Sequence, residues 1–210
     1  SVQVSNNGQD FSRTAAEYLY QNTPHVMSIH PSTGSFGGGT IISVRGSGFV
    51  GSTSMQCSFG TTRVVGAFVS DNEILCICPP LSVNPFSLSV NPNSTAATSS
   101  EVDVLVRVTS NGLELSRNLV YFRYTNMPEV ARIHPNISFT GSPTVVSVFG
   151  KFHPTNSLTC QFGVDLAQAT FVNTSVITCV APPSKFASTS EVRVSQNGAD
   201  FSASSAQFAT

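Results

Sequence analysis

The side chains of this sequence with the most chemistry to offer are its five cysteines, Cys57, Cys76, Cys78, Cys160 and Cys179. Cys57 and Cys76 stand 19 positions apart, and so do Cys160 and Cys179. Two pairs at one spacing predict two disulfides, each closing a loop worth about 3 kcal/mol if cross-linking acts by restricting the unfolded chain. The alternative is a set of buried free thiols. Cys78 has no counterpart, because Ala181 occupies its place in the second pair's surroundings. It can compete with Cys76 for Cys57, crosslink another chain, or sit unpaired as a small buried hydrophobe, and the last is the expectation. Cysteine used in pairs implies an oxidising compartment outside the cell or at its surface.

Other reactive constellations are sparse. Three glycosylation acceptors occur, Asn93-Ser94-Thr95, Asn136-Ile137-Ser138 and Asn173-Thr174-Ser175; each reads as a surface loop able to carry a bulky, solvating glycan. His30 and His134 sit between Ile and Pro, with no acidic residue at ligand spacing. A metal needs three or four converging donors, and none can be assembled. Asp71-Asn72-Glu73 has calcium-like oxygens, but a polar turn explains it equally well. No Gly-x-Ser-x-Gly elbow and no recurring carboxylate pair is present. The expectation is a chain with no catalytic residue, no metal and no cofactor.

The elements that hold these residues come from an internal repeat. Met27-Ser28-Ile29-His30-Pro31, Thr40 to Gly46, Cys57-Ser58-Phe59-Gly60 and Ile74 to Pro80 are answered by Ala131-Arg132-Ile133-His134-Pro135, Thr144 to Gly150, Cys160-Gln161-Phe162-Gly163 and Ile177 to Pro183. A third copy of the closing part lies at the N-terminus. Val2-Gln3-Val4-Ser5-Asn6-Asn7-Gly8 with Tyr18-Leu19-Tyr20 matches Val106 to Gly112 with Phe122-Arg123-Tyr124, and Val192 to Gly198 with Phe208-Ala209-Thr210. Alternating Val and Ile mark half-buried strands, and Asn-Gly between them marks hairpin turns at positive φ. No apolar stripe of helical period is long enough for a substantial helix. The expected fold is all-β: two tandem sandwiches preceded by the closing hairpin of a third, divided as 1–24, 25–125 with an inserted loop near 81–100, and 126–210.

Paired Phe and Ile positions should form the inner faces: Phe59, Phe68 and Ile74 in the first unit, and Phe162, Phe171 and Ile177 in the second. Tyr20 to Val26 and Tyr124 to Val130 are matching junctions, each with one Pro, too short and stiff to be loose tethers. Lys plus Arg number 10 against 11 Asp plus Glu, so there is no basic excess for phosphates and nucleic acid is a poor partner. No apolar run nears the roughly 20 residues that span a bilayer, and no direct membrane contact is expected from this segment.

Ile-x-Pro, Gly-Gly-Thr leading to Val-x-Gly, Cys-x-Phe-Gly, Cys before Pro-Pro, and a closing Asn-Gly with Phe-x-Tyr together resemble the IPT/TIG domain, over 26–124 and again over 130–210. The second unit departs at Gly141-Ser142-Pro143-Thr144, which keeps the turn and the Thr but not Gly-Gly-Thr. The resemblance implies immunoglobulin-like (E-set) sandwiches of about seven strands. It also implies a non-catalytic structural or adhesive segment of an extracellular glycoprotein, a rigid array able to extend into a filament. The alternative it implies is a ligand-binding segment of a plexin-like receptor. Partners would be other domains of the same protein, copies of itself, or an extracellular protein or glycan. Val2, Val4, Phe11, Tyr18 and Tyr20 would be the contact residues of an assembly hairpin, satisfied by an upstream domain body or by strand addition from another molecule.

Overall fold

The computed structural model describes residues 1–81 and 101–210, so Asn93 and the rest of 82–100 lie outside the described residues. The first domain carries β1 (His25–His30), β2 (Thr33–Ser35), β3 (Ile41–Ser47), β4 (Gln56–Phe59), β5 (Thr62–Ser70), β6 (Glu73–Ile77), β7 (Glu101–Thr109) and β8 (Val120–Thr125). The second carries β9 (Glu129–His134), β10 (Thr144–Lys151), β11 (Thr159–Phe162), β12 (Asp165–Asn173), β13 (Val176–Ala181), β14 (Thr189–Ser195) and β15 (Ala206–Ala209). Strand orders are β1-β3-β6-β5-β4-β7-β8-β2 and β15-β14-β11-β12-β13-β10-β9, so the two domains share one topology apart from β2, whose place in the second is taken by the isolated parallel bridge Ile137 to Ala209.

One long strand folds each sheet into two layers. Residues 62–65 of β5 pair with β4, and residues 66–70 pair with β6. The strand thus leaves one layer and joins the other, and β12 repeats the manoeuvre between β11 and β13. Alternation then fills the gap between layers. On β3, Ile42, Val44 and Gly46 face inward while Ile41 and Arg45 face out, which is the period-two pattern of a half-buried strand. The first core gathers Ile42, Val44, Phe59, Ile74, Val104, Val106 and Phe122; the second gathers Val146, Val148, Phe162, Ile177, Val192, Val194 and Phe208.

The Val-x-Gly signal has a steric cause. A Cβ on Gly46 would collide with the carbonyl of His25, and one on Gly150 with the carbonyl of Glu129. In the second domain the break in register falls between Phe149 and Gly150, and in the first it lies across the ladder at Val26/Ser28. Glycine is therefore required where the first strand's backbone comes closest. His30-Pro31 and His134-Pro135 are both cis peptides.

One core expectation fails. Phe59 and Ile74 are buried, but Phe68 is 47% exposed. It lies opposite Ile74 and shares that side of the sheet, yet it stands after the crossover in β5, at the margin of its layer, beside a break in register. Its ring lies against Gly51 rather than in the core. In the second domain Phe162 and Ile177 are buried, and Phe171 is half-buried against the core.

Residues 1–22 form only the isolated bridges Val2 to Ala16 and Ser5 to Phe11. Val2, Val4, Phe11, Tyr18 and Tyr20 are all exposed; in the first domain the equivalents Val106, Val108, Phe122 and Tyr124 are buried and Leu115, the equivalent of Phe11, is half-buried. The apolar pattern is the same in both places, and the difference is that, among the described residues, no opposing layer covers residues 1–22.

Candidate functional site

Cys57 on β4 and Cys76 on β6 are disulfide-bonded, as are Cys160 on β11 and Cys179 on β13, each with a Cα separation of 6.3 Å. Because β4 and β6 belong to opposite layers, each bond ties the two faces of a sandwich through its core. Bonds of this kind persist in oxidising surroundings, and the chain is extracellular or at the cell surface.

Cys78 is unpaired and buried just beyond β6. Its thiol lies 3.4 Å from the carbonyl of Pro79, which also accepts a 2.8 Å hydrogen bond from the Tyr124 hydroxyl. Burial pushes the Cys78 thiol up to about 11, against a lesser opposite pull from its hydrogen bond with Tyr124; the charge of Asp200 adds to the rise. Burial likewise raises the Tyr124 phenol. Such a thiol is not a nucleophile, because the reactive species is the thiolate. Ala181, equally buried, fills the same place in the second domain.

His30 and His134 are exposed. Among the described residues, no three of His, Cys, Asp and Glu stand close enough to hold a metal ion. Asp71-Asn72-Glu73 is a turn whose carbonyls are in use: Asn72 accepts from Gly46 N at 3.0 Å and Asp71 from Phe49 N at 3.1 Å. Asn136 and Asn173 are both exposed, the first beside β9 and the second at the end of β12.

The most elaborate polar arrangement lies where the two domains meet, and sequence reading missed its principal residue. The Asn-Gly hairpins do not place Asn at positive φ; among the described residues only glycines adopt it, including Gly8, Gly112 and Gly198 at 74°, 77° and 76°. Asparagine acts instead through its side chain. Asn197 Oδ1 accepts from Ala199 N and Asp200 N at 3.0 and 2.8 Å and from Ser195 Oγ at 3.1 Å, which fixes the turn. Its Nδ2 is then aimed outward. It donates to Asp200 Oδ2 at 2.8 Å and, across the domain boundary, to the carbonyl of Thr33 at 2.8 Å. Asp200 Oδ2 in turn accepts from Thr40 Oγ1 of the first domain at 2.6 Å. Asn197 is 7% exposed and Thr40 1%. The available signal was an acid three residues after each Asn, at Asp10, Glu114 and Asp200.

On the other flank of the junction, Arg123 grips Asp103 through Nε and Nη2 at 2.7 and 3.0 Å, and lies 3.4 Å from Glu101. The loop at His153 to Thr155 of the second domain comes alongside, with Thr155 Oγ1 donating to Gln196 O at 2.6 Å. The second domain thus approaches the first both through the Asn197 turn and through the His153 to Thr155 loop.

A family model described as the IPT/TIG domain matches residues 24–106 and 128–210. The chain belongs to the IPT/TIG family. Plexin-A2 of Mus musculus is 26% identical over 189 residues, 81% of this chain and 8% of that protein. Human fibrocystin-L is 27% identical over 135 residues, 63% of this chain and 3% of that protein. The solved structure of the full extracellular region of plexin A4 superposes with a TM-score of 0.50 at 18% identity, covering 84% of this chain and 15% of that one. The chain therefore shares its tandem immunoglobulin-like fold with part of the plexin A4 extracellular region, and spans 8% or less of the curated relatives named.

Proposed function

We propose that this chain is a non-catalytic, structural segment of an extracellular protein, a stiff coupler that holds neighbouring IPT/TIG domains at a set angle and presents their surfaces to protein or glycan partners. The observation that carries this reading is the pair of hydrogen bonds across the boundary, Asn197 to Thr33 and Thr40 to Asp200. The three-residue linker Asn126 to Pro128 restrains distance more than rotation. Two directed bonds, one of them to a carboxylate and worth about 1.5–3 kcal/mol, restrain rotation as well. Adhesion and growth into a filament are consistent extensions of a head-to-tail array.

The same reading gives residues 1–22 a role as the closing hairpin of a preceding domain, with Val2, Val4, Phe11, Tyr18 and Tyr20 as its inward face. Asn93, Asn136 and Asn173 are proposed to carry glycan. A second reading is favoured by the likeness to plexin-A2 over most of this chain: the segment belongs to a plexin-like receptor ectodomain and contributes to binding a protein ligand. A membrane-spanning helix and a cytoplasmic signalling domain in the full-length protein would establish it.

Residual dipolar couplings on the 210-residue chain test the stiffness. One alignment tensor should describe both domains, and Asp200→Ala should split it into two. Independent tensors in the parent chain would refute the reading.

A further inference from the structure

The hairpin tip that docks the second domain on the first exists in three copies, and among the described residues only one of them is engaged across a domain boundary. Ser5 to Asp10, Thr109 to Glu114 and Ser195 to Asp200 share the order Ser/Thr-x-Asn-Gly-x-acid. In each, Asn Oδ1 accepts from the backbone N–H groups two and three residues on, and from the hydroxyl two residues before. In each, Asn Nδ2 also donates to the acid, at 2.7 Å to Asp10, 3.4 Å to Glu114 and 2.8 Å to Asp200. What differs is the surroundings. Asn197 is buried because a domain stands before it, whereas Asn7 and Asn111, which make the same set of hydrogen bonds within their turns, are exposed.

Asn111 and Glu114 also stand where the engaged tip stands. They lie beside Gln21, Asn22, Thr23 and Pro24, the linker that precedes the first domain. Asn197 and Asp200 lie beside Asn126, Met127 and Pro128, the linker that precedes the second. The same turn, in the same place relative to its linker, carries the same free donor and carboxylate.

We infer that Asn111 and Glu114 form a docking plug for another IPT/TIG domain immediately N-terminal to the first, one that presents a backbone carbonyl and a threonine hydroxyl in the places of Thr33 and Thr40. The plug is directional. Each domain reads the one before it, so an array built this way has a single polarity, and its angle is set by hydrogen bonds from one turn. The inference rests on the stiff-coupler reading and extends it from one junction to the next.

The test uses the full chain with a second copy of residues 25–128 in place of 1–24. A domain with intact Thr33 and Thr40 then stands directly before the Asn111–Glu114 tip. Distances across both junctions are measured by electron–electron double resonance between encoded, non-cysteine spin labels. The parent should give one narrow peak at each junction. In the middle domain, Asn111→Asp keeps the Oδ1 that holds the turn and removes the Nδ2 donor, and Glu114→Ala removes the carboxylate. Each should broaden the first junction's peak and leave the second unchanged, with an unaltered thermal melt showing that the domain still folds.

Asn197→Asp with Asp200→Ala is the separate check on stiffness, and should broaden the second junction alone. If that pair broadens the second junction while the Asn111 and Glu114 variants leave the first narrow, the plug inference is overturned and the coupler reading stands. A first junction already broad in the parent overturns the inference too. If neither set of variants broadens anything, both fall.

Discussion

Truncating Phe162 and Phe68 in turn separates a core ring from one at the margin of its layer, although the sequence assigns both to inner faces. Phe162 is 5% exposed and meets Phe208 edge-to-face, with ring centroids 5.5 Å apart. Deleting a buried phenyl loses its transfer free energy and leaves a cavity, about 3–5 kcal/mol together. The lost ring pair accounts for about 0.5–1.5 kcal/mol of such a cost. A domain of this size has roughly 5–15 kcal/mol to lose, so Phe162→Ala brings the second domain near its threshold. Phe68, at 47% exposure, buries about half its surface. Half of the ~1.5–3 kcal/mol for burying a Phe is about 1 kcal/mol, and an open margin leaves no enclosed cavity to add to it. Urea unfolding of the full chain, followed by circular dichroism with domain-resolved proteolysis, should show the second domain losing about three times as much from Phe162→Ala as the first loses from Phe68→Ala. Equal losses, or a Phe162→Ala cost below about 1 kcal/mol, would refute the layer assignment.

Replacing Cys57 and Cys76 together by Ala should cost the first domain about 3 kcal/mol, and the same change at Cys160 and Cys179 should cost the second as much; non-reducing peptide mapping that linked Cys57 to Cys78 would overturn the pairing. An unfolded chain releases the Cys78 proton near the ordinary value of 9.0, while the fold retains it to about 11. The unfolded state therefore gains by deprotonation first, so stability should be fully present below pH 9 and fall as pH rises towards 11, and Cys78→Ala should remove that part of the fall. Native chain at pH 8 should leave Cys78 unmodified by a thiolate-directed reagent, with modification appearing on unfolding. Mass spectrometry of protein secreted from a glycosylating host should find glycan on exposed Asn136 and Asn173, and Gln at either position should remove one glycan without moving the melt.

Much of this protein was legible because its information is local or repeated. Cys57, Cys76, Cys160 and Cys179 share one spacing, and the strands around them alternate inward and outward residues at period two, so disulfide pairing, strand content and the tandem arrangement follow from the chain alone. The Asn-Gly turns were visible too, but not what asparagine does there, since a positive φ and a side-chain cap leave the same dipeptide in the sequence. Phe59 and Phe68 both read as inner-face residues until the crossover in β5 puts the second at a margin, and that is a property of the folded sheet. The clasp was the least visible. Thr40 and Asp200 are 160 residues apart and belong to different repeats, so no local period relates them. Only the packing of one domain against the next brings that hydroxyl to that carboxylate, and it buries Asn197 while leaving the corresponding turn at Asn111 open to water.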